Sequence, residues 1–240
     1  MAIAFRAVGA MVEGSSNPHS VALPAGHTLN DLIILMCVQQ RNSGTGMTFT
    51  ATGYTERSRN FKTAGVDMTC SILYKVHDGS ETDPIGVSSN FSSTDWGCAS
   101  IAYSGVDTST PWDVANVDDD NAGTAAQTWL MNDITTVTAN AMALSFAMTN
   151  DNNILDHSSA NGHTIRAAGA SYSTSVDVTY CLGFSEKLIV SAGAAGMPTW
   201  NQSANNDDQW IGTAFALRPA AAAAGAGLPI LETAYGGGML

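Results

Sequence analysis

The stretch Val66-Asp67-Met68-Thr69-Cys70-Ser71-Ile72-Leu73-Tyr74-Lys75-Val76 decides the fold class. Val66, Met68, Cys70, Ile72 and Tyr74 recur at every second position, and successive side chains of a β-strand point to opposite faces. They therefore form one apolar side of an extended chain and predict a core-facing strand. Upstream, Asp31–Gln40 (DLIILMCVQQ) is a continuous apolar run rich in branched residues. It lacks helix caps and is short, so it reads as a central strand buried on both faces. Its polar end opens into a loop at Arg41–Gly46.

Outward from these two segments the same grammar continues. Ile3–Ala10 reads as an opening strand and Ser20–Pro24 as a short one with Val21 and Leu23 on one face, followed by a turn at Pro24–Gly26. Thr48–Thr52 and Tyr54–Arg59 are edge-like segments separated by Gly53. His77–Pro84 reads as a turn from which Ile85–Phe91 returns antiparallel, and Trp96–Tyr103 is the next strand. Val106–Asp113 and the acidic Asp118–Asn121 read as one long polar connection that crosses between sheets. Thr128–Met131, Ile134–Val137 and Ala141–Met148 resume strands, and Thr149–Asn153 turns. His163–Arg166 is a short strand, and Ser175–Phe184 alternates, with Lys187–Val190 as its partner or continuation. Asp207–Pro219 closes the series as the last strand.

About a dozen evenly spaced strands with almost no amphipathic helix predict an all-β fold, a two-sheet antiparallel sandwich with jelly-roll topology as the specific expectation. The body is expected to span residues 1–219, and the Ala/Gly-rich residues 220–240 an extended C-terminal arm. Trp96 and Trp210 share similar surroundings, Asp then Trp then small residues, a hint of equivalent strands.

Composition narrows the role. Charged residues make up 12%, half the roughly one quarter of an ordinary soluble domain, so neutral polar groups must cover the surface. That suits a chain packed against copies of itself or a larger particle. With 9 basic and 21 acidic residues the net charge is −12, which disfavours binding to nucleic acid. The local basic group Arg57, Arg59 and Lys62 is spaced as on the outer face of a strand. No run approaches the length needed to cross a membrane, and the N-terminus lacks the pattern of an export signal, so a soluble protein is expected. Cys37, Cys70, Cys98 and Cys181 each lie in an apolar run without metal-ligand spacing and read as buried free thiols.

Reactive constellations are scarce. Asp156-His157-Ser158-Ser159 has the residue types of a nucleophile and base but no constrained serine elbow, and reads as a polar loop. His157 and His163 lack the helical spacing of a zinc pair. Asp118–Asn121 and Asp207–Asp208 could offer oxygens to calcium, but the spaced Asp-x-Asp-x-Asp-Gly loop is missing. The Gly-x-Gly patterns at Gly44 and Gly225 lack a βαβ context for nucleotide binding. No metal, cofactor or enzymatic activity is therefore expected. Trp96, Trp129 and Trp210 fall in strands and read as core. Trp112 and Trp200 read as loop residues, able to anchor a subunit interface or to stack on a sugar ring.

Ser20–Pro24, Asn30–Met36, Gly53–Arg57, Ile72–Lys75, Ile101–Asp107 and Ala214–Pro219 together resemble, across residues 19–219, a loosely defined family of β-sandwich proteins from the structural modules of tailed bacteriophages. The resemblance implies a virion component, either a capsid decoration or cement protein or a tail-fibre part, with no catalytic residues to carry over. The expected partners are the major capsid protein or other virion subunits and further copies of the chain, a trimer among the options. Cement is the leading expectation, and a tail-fibre or adhesin module binding host glycan is the alternative. The arm is expected to dock on a neighbouring subunit through Leu228, Ile230, Leu231, Tyr235, Met239 and Leu240.

Overall fold

A computed structural model describes residues 2–40, 46–63, 67–91, 96–120, 128–149, 155–157, 160–167, 181–202 and 209–221. The first half of the chain forms β1 (Ala4–Val8), β2 (Val12–Gly14), β3 (His19–Val21), β4 (Leu32–Gln40), β5 (Phe49–Ala51), β6 (Thr55–Lys62), β7 (Met68–Val76), β8 (Ile85–Ser89) and β9 (Trp96–Ser104). The second half forms β10 (Val117–Asp120), β11 (Thr128–Leu130), β12 (Ala141–Thr149), β13 (Leu155–His157), β14 (Thr164–Ala167), β15 (Cys181–Ile189), β16 (Thr199–Gln202) and β17 (Trp210–Leu217). All strand pairings are antiparallel, as expected for a sandwich.

The strands form four sheets, and the second half repeats the first. One main sheet has the order β1-β9-β4-β7-β6, with β2 also on β9, beside a small sheet β3-β8-β5. The other main sheet has the order β10-β17-β12-β15-β14, beside a small sheet β11-β16-β13. With β2 set aside, each strand of the first half has a counterpart in the second, in the same sequence order. Register gives the correspondence residue by residue. Gln39 lies opposite Trp96 and Thr149 opposite Trp210, so the two tryptophans occupy equivalent positions, as their surroundings hinted. His19 packs at a 34° tilt on Trp96 with ring centroids 3.8 Å apart, and Trp129 stacks on Trp210 at 4.8 Å in the matching place.

Backbone demands repeat more closely than side chains. Asn30 and Asn140 adopt φ of 69° and 62° just before β4 and β12, a left-handed conformation in which Asn is tolerated. Gly53 and Gly162 have φ of 79° and 75° and open the segments Gly53-Tyr-Thr-Glu-Arg57 and Gly162-His-Thr-Ile-Arg166. Both β6 and β14 then shift register at the arginine, between Glu56 and Ser58 and between Ile165 and Ala167. A bulge re-aims the extra side chain, and here it aims both arginines across the body. Arg57 lies over the Trp112 ring at 5.0 Å, and Arg166 over the Phe5 ring at 4.4 Å. Phe5 pairs with Tyr103 and Trp112 with Leu217, which are equivalent positions, so each half clamps the same aromatic of the other. Reciprocal contacts of this kind are the signature of two copies facing each other about a twofold.

The halves meet through their main sheets. Leu32, Ile34, Met36, Val38, Cys70, Ile72 and Ile101 face Met142, Leu144, Phe146, Met148, Phe184, Ile211 and Phe215 in one shared core. The opposite faces pack outward: Ile33, Leu35 and Cys37 under the small sheet's Val21, Phe49 and Val87, and Ala143, Ala147, Ala214 and Ala216 under Trp129 and Trp200. Alanines on the main sheet leave the depth that the tryptophans fill. Gly212 belongs to the same arrangement, since a Cβ there would sit 2.8 Å from both Met131 Cε and the Phe146 carbonyl. The four cysteines are buried and free, and Cys37 and Cys98 are cross-strand neighbours with sulfurs 2.9 Å apart.

Several expectations are corrected. Ile85–Ser89 does not return beside β7 but joins the separate small sheet. Val117–Asp120 is an edge strand on β17, not part of a structureless connection. Asp156 and His157 lie in β13 and not in a loop. Within Ile134–Val137 only Thr135 makes a bridge, to Ala194. Of the two readings of Lys187–Val190, partner or continuation, continuation holds, since β15 runs from Cys181 to Ile189.

Candidate functional site

The corner at Gly53 gathers polar side chains beside a cavity. Positive φ at Gly53 turns β5 into β6 and places Tyr54 at the entry, its N–H donating to the Ala51 carbonyl. Lys75 comes from the end of β7, and the segment from His77 to Pro84 folds back over it. The Lys75 ammonium donates to Ser80 Oγ at 2.8 Å and Asp78 Oδ1 at 3.1 Å, and lies 3.0 Å from Glu81 Oε1. His77 Nδ1 is 2.6 Å from Glu81 Oε2. The Glu81 side chain is 1% exposed, so its carboxylate is buried between an ammonium and an imidazole. The cavity beside this network measures about 360 Å³ and is lined by Thr52, Gly53, Tyr54, Lys75, Ser80, Glu81, Thr82, Ile85 and Gly86.

Electrostatics follow from these contacts. Burial pushes the Glu81 carboxyl up, but hydrogen bonds from Lys75 and a backbone N–H, with the charges of His77 and Lys75, outweigh it and hold the group below its usual value. Asp78 is also held low, by the Ser80 hydroxyl and N–H and by Lys75. Burial, then the negative charge of Glu81, pushes the Tyr54 phenol up, so it remains a donor. Carboxyls depressed in the folded chain stabilise it above their unfolded pKa of about 4 and lose that contribution as pH falls through the folded values. Asp119 opposes them, because burial raises its pKa. Urea midpoints should therefore fall below about pH 4, and Glu81→Gln should flatten part of the fall. A profile unchanged by Glu81→Gln would show that the Glu81 contacts contribute nothing to stability.

A second buried network lies where β14 meets β1. Arg166 Nε donates to Glu186 Oε1 at 2.7 Å, and the Tyr103 hydroxyl donates to Glu186 Oε2 at 2.5 Å. Tyr103 is fully buried, and burial, then the charge of Glu186, raises its pKa. On the pseudo-equivalent side Tyr74 and Leu217 replace Glu186 and Tyr103, and Arg57 instead donates to the Val114 carbonyl at 2.7 Å. The network is an asymmetric brace between the halves and has the chemistry of a structural ion pair.

The residues singled out from sequence fall into different places. Trp200 is not a loop residue: it is fully buried at the centre of its small sheet, with its indole N–H donating to Ser145 Oγ at 2.9 Å. Trp112 is half-buried between Tyr74, Phe215 and Arg57. Trp96, Trp129 and Trp210 are core, as expected. Leu228, Ile230, Leu231, Tyr235, Met239 and Leu240 lie outside the described residues, as do Ser158, Ser159, Asn121, Asp207, Asp208, Gly44 and Gly225.

Of the basic group, Arg59 is exposed, Arg57 half-buried and Lys62 buried. Arg6 pairs with Asp31, Arg57 reaches Val114, Arg59 pairs with Glu56 and Lys62 is 5% exposed. Lys75 meets Glu81, Arg166 meets Glu186, Lys187 donates to the Ala195 carbonyl and Arg218 approaches Asp113. Every described cation is thus engaged or buried within the chain itself. The Asp119 carboxylate accepts from the N–H groups of Asn132 and Asp120, and Asp118 accepts from Asn116. Among the described residues no group of three His, Cys, Asp or Glu side chains is placed to hold a metal ion.

Sequence reading passed over Tyr54, Lys75 and Glu81, which it placed in an edge strand, a core strand and a turn. The available signal was the repeat of Gly-x-Thr-x-Arg together with lysines at equivalent positions, Lys75 and Lys187. Comparison of the chain with family models, curated proteins and solved structures found no match.

Proposed function

We propose that the protein is a non-enzymatic structural subunit of a tailed-phage virion, assembled in the host cytoplasm, that decorates and cements the outer surface of the head. The observation that carries this reading is the duplicated unit of eight strands in two sheets. Within each unit the first strand lies beside the last, β1 on β9 and β10 on β17, which supports the jelly-roll assignment. Two-sheet jelly rolls recur in viral capsid and lectin domains, so the fold supports a structural role by analogy. The net charge of −12 gives further support, with each described cation paired, hydrogen-bonded or buried within the chain, a balance unsuited to a phosphate backbone. The Gly105 carbonyl accepts from Ala220 N–H at 2.8 Å near the end of the described residues, and the apolar residues from Leu228 to Leu240 follow in the sequence.

The test is to add the full chain to heads assembled without it and to measure co-sedimentation and occupancy by electron microscopy. Saturable binding is expected, with occupancy falling at least tenfold, about 1.4 kcal/mol, when the chain ends at Pro219. Failure of the full chain to bind heads would overturn the reading, and equal occupancy without the arm would remove the arm from it.

A further inference from the structure

We propose that Cys37 and Cys98 are a cross-strand disulfide site that locks β4 to β9 when the chain folds or opens in an oxidising medium. Both thiols are free in the structure. Register, packing and the comparison of the two halves each point to the pair.

Cys37 lies directly opposite Cys98 in the antiparallel ladder of β4 and β9. Opposed residues project to the same face with Cα atoms about 4.5–5.5 Å apart, inside the span of about 4.4–6.8 Å that a disulfide bridges. The two sulfurs are in contact at 2.9 Å. Packing makes the pairing selective. Cys37 and Cys98 share the cluster beneath Phe49 and Val87 of the small sheet, whereas Cys70 belongs to the core between the halves and Cys181 to the outer face of the second main sheet. At the equivalent pair of positions the second half carries Ala147 opposite Gly212. The fold therefore closes there without sulfur, and two facing thiols exceed what the architecture requires.

Closure is a two-electron oxidation, and a small disulfide such as oxidised glutathione is the oxidant class that fits it. The thiolate of one cysteine attacks a glutathione sulfur and expels the first glutathione thiolate. The second cysteine then attacks the protein sulfur of the mixed disulfide and expels the other, so the S–S bond of the oxidant is exchanged for the bond from Cys37 to Cys98. The two protein thiol protons end on two glutathione thiols. In the closed body both sulfurs are fully buried, and burial, then the hydrogen bond with Cys98, raises the pKa of the Cys37 thiol, which withholds the nucleophile. The exchange therefore belongs to the folding chain, or to a body whose small sheet has lifted, and the finished bond is shielded from reductants in turn. The pair retains the redox state of the medium in which the body last closed.

Refolding the full reduced chain from urea, with oxidised glutathione or with dithiothreitol, tests the proposal. The oxidised product should lose two of its four titratable thiols, weigh two hydrogens less and yield one crosslinked peptide pair, containing Cys37 and Cys98. Its urea midpoint should rise by about 1 M, because the bridge links residues 61 apart in the sequence. Without urea, the folded reduced chain should react with oxidised glutathione at least about tenfold more slowly than the unfolded chain. Cys37→Ala, the residue found in the other half, should form no bridge and show the same midpoint from both media. Four free thiols after oxidative refolding, a bridge through Cys70 or Cys181, or a midpoint no higher than that of the reduced chain would each overturn it, and the peptide map of the parent decides even where the variant does not fold.

Discussion

Phe146→Ala is expected to lower the unfolding free energy of the whole body by about 3–5 kcal/mol, the range for removing a large buried aromatic. Phe146 is fully buried and projects from β12, a central strand of the second main sheet, into the core shared with the first. The cavity would open against residues of both halves, since Met36 and Ile34 of β4 belong to the same cluster as Leu144 and Met148 of β12. Neither main sheet has another surface on which to bury that face. Unfolding followed by tryptophan fluorescence and by far-ultraviolet circular dichroism should therefore remain a single coincident transition at a lower urea midpoint. A loss below about 1 kcal/mol would mean that the interface relaxes around the cavity, contrary to a close-packed shared core.

Glu186→Ala is expected to cost about 3 kcal/mol, because it strands Arg166 beside Phe5 and leaves the buried Tyr103 hydroxyl without its acceptor. The other half indicates how the loss can be recovered. At the equivalent positions it carries Tyr74 and Leu217, beside an arginine that donates to a backbone carbonyl, so the double replacement Glu186→Tyr with Tyr103→Leu removes the buried carboxylate and moves the phenol to the position it has there. Replacing a buried ionic group with packed residues is often neutral or better, and the double variant should be more stable than Glu186→Ala by at least about 1 kcal/mol. Urea midpoints of the two variants decide this. Equal stability would mean that the brace contributes through packing alone.

The all-β class, the two-faced burial of β4 and the apolar side of β7 were legible because period two and continuous apolar runs report burial directly. The strand β10 was not, since Val117-Asp-Asp-Asp120 has the composition of an acidic turn and becomes a strand only by pairing with β17. Trp200 was misplaced for the same reason: Pro198 and Asn201 beside it suggest a loop, while its partners lie far away in sequence, at Trp129 and His157. Duplication was nearly hidden. Positions that constrain the backbone kept their residue type, as in Asn30 and Asn140 or Gly53 and Gly162. Core positions instead traded volume, Met36 for Phe146 and Tyr103 for Leu217 in the shared core and Leu35 for Ser145 under the small sheets. The candidate site was least legible, because Tyr54, Lys75 and Glu81 belong to three segments that only the turn at Gly53 and the fold-back after His77 bring together.

The central claim is that two copies of one unit share a single core and stand or fall together. Hydrogen exchange resolved for β4 and β12 tests it most directly. In the parent the amides of both strands should exchange with the same free energy, that of global unfolding, and in Phe146→Ala both should lose protection by the same amount. If β4 kept its full protection while β12 lost its own, the halves would be independent units and the shared core would not be what holds them.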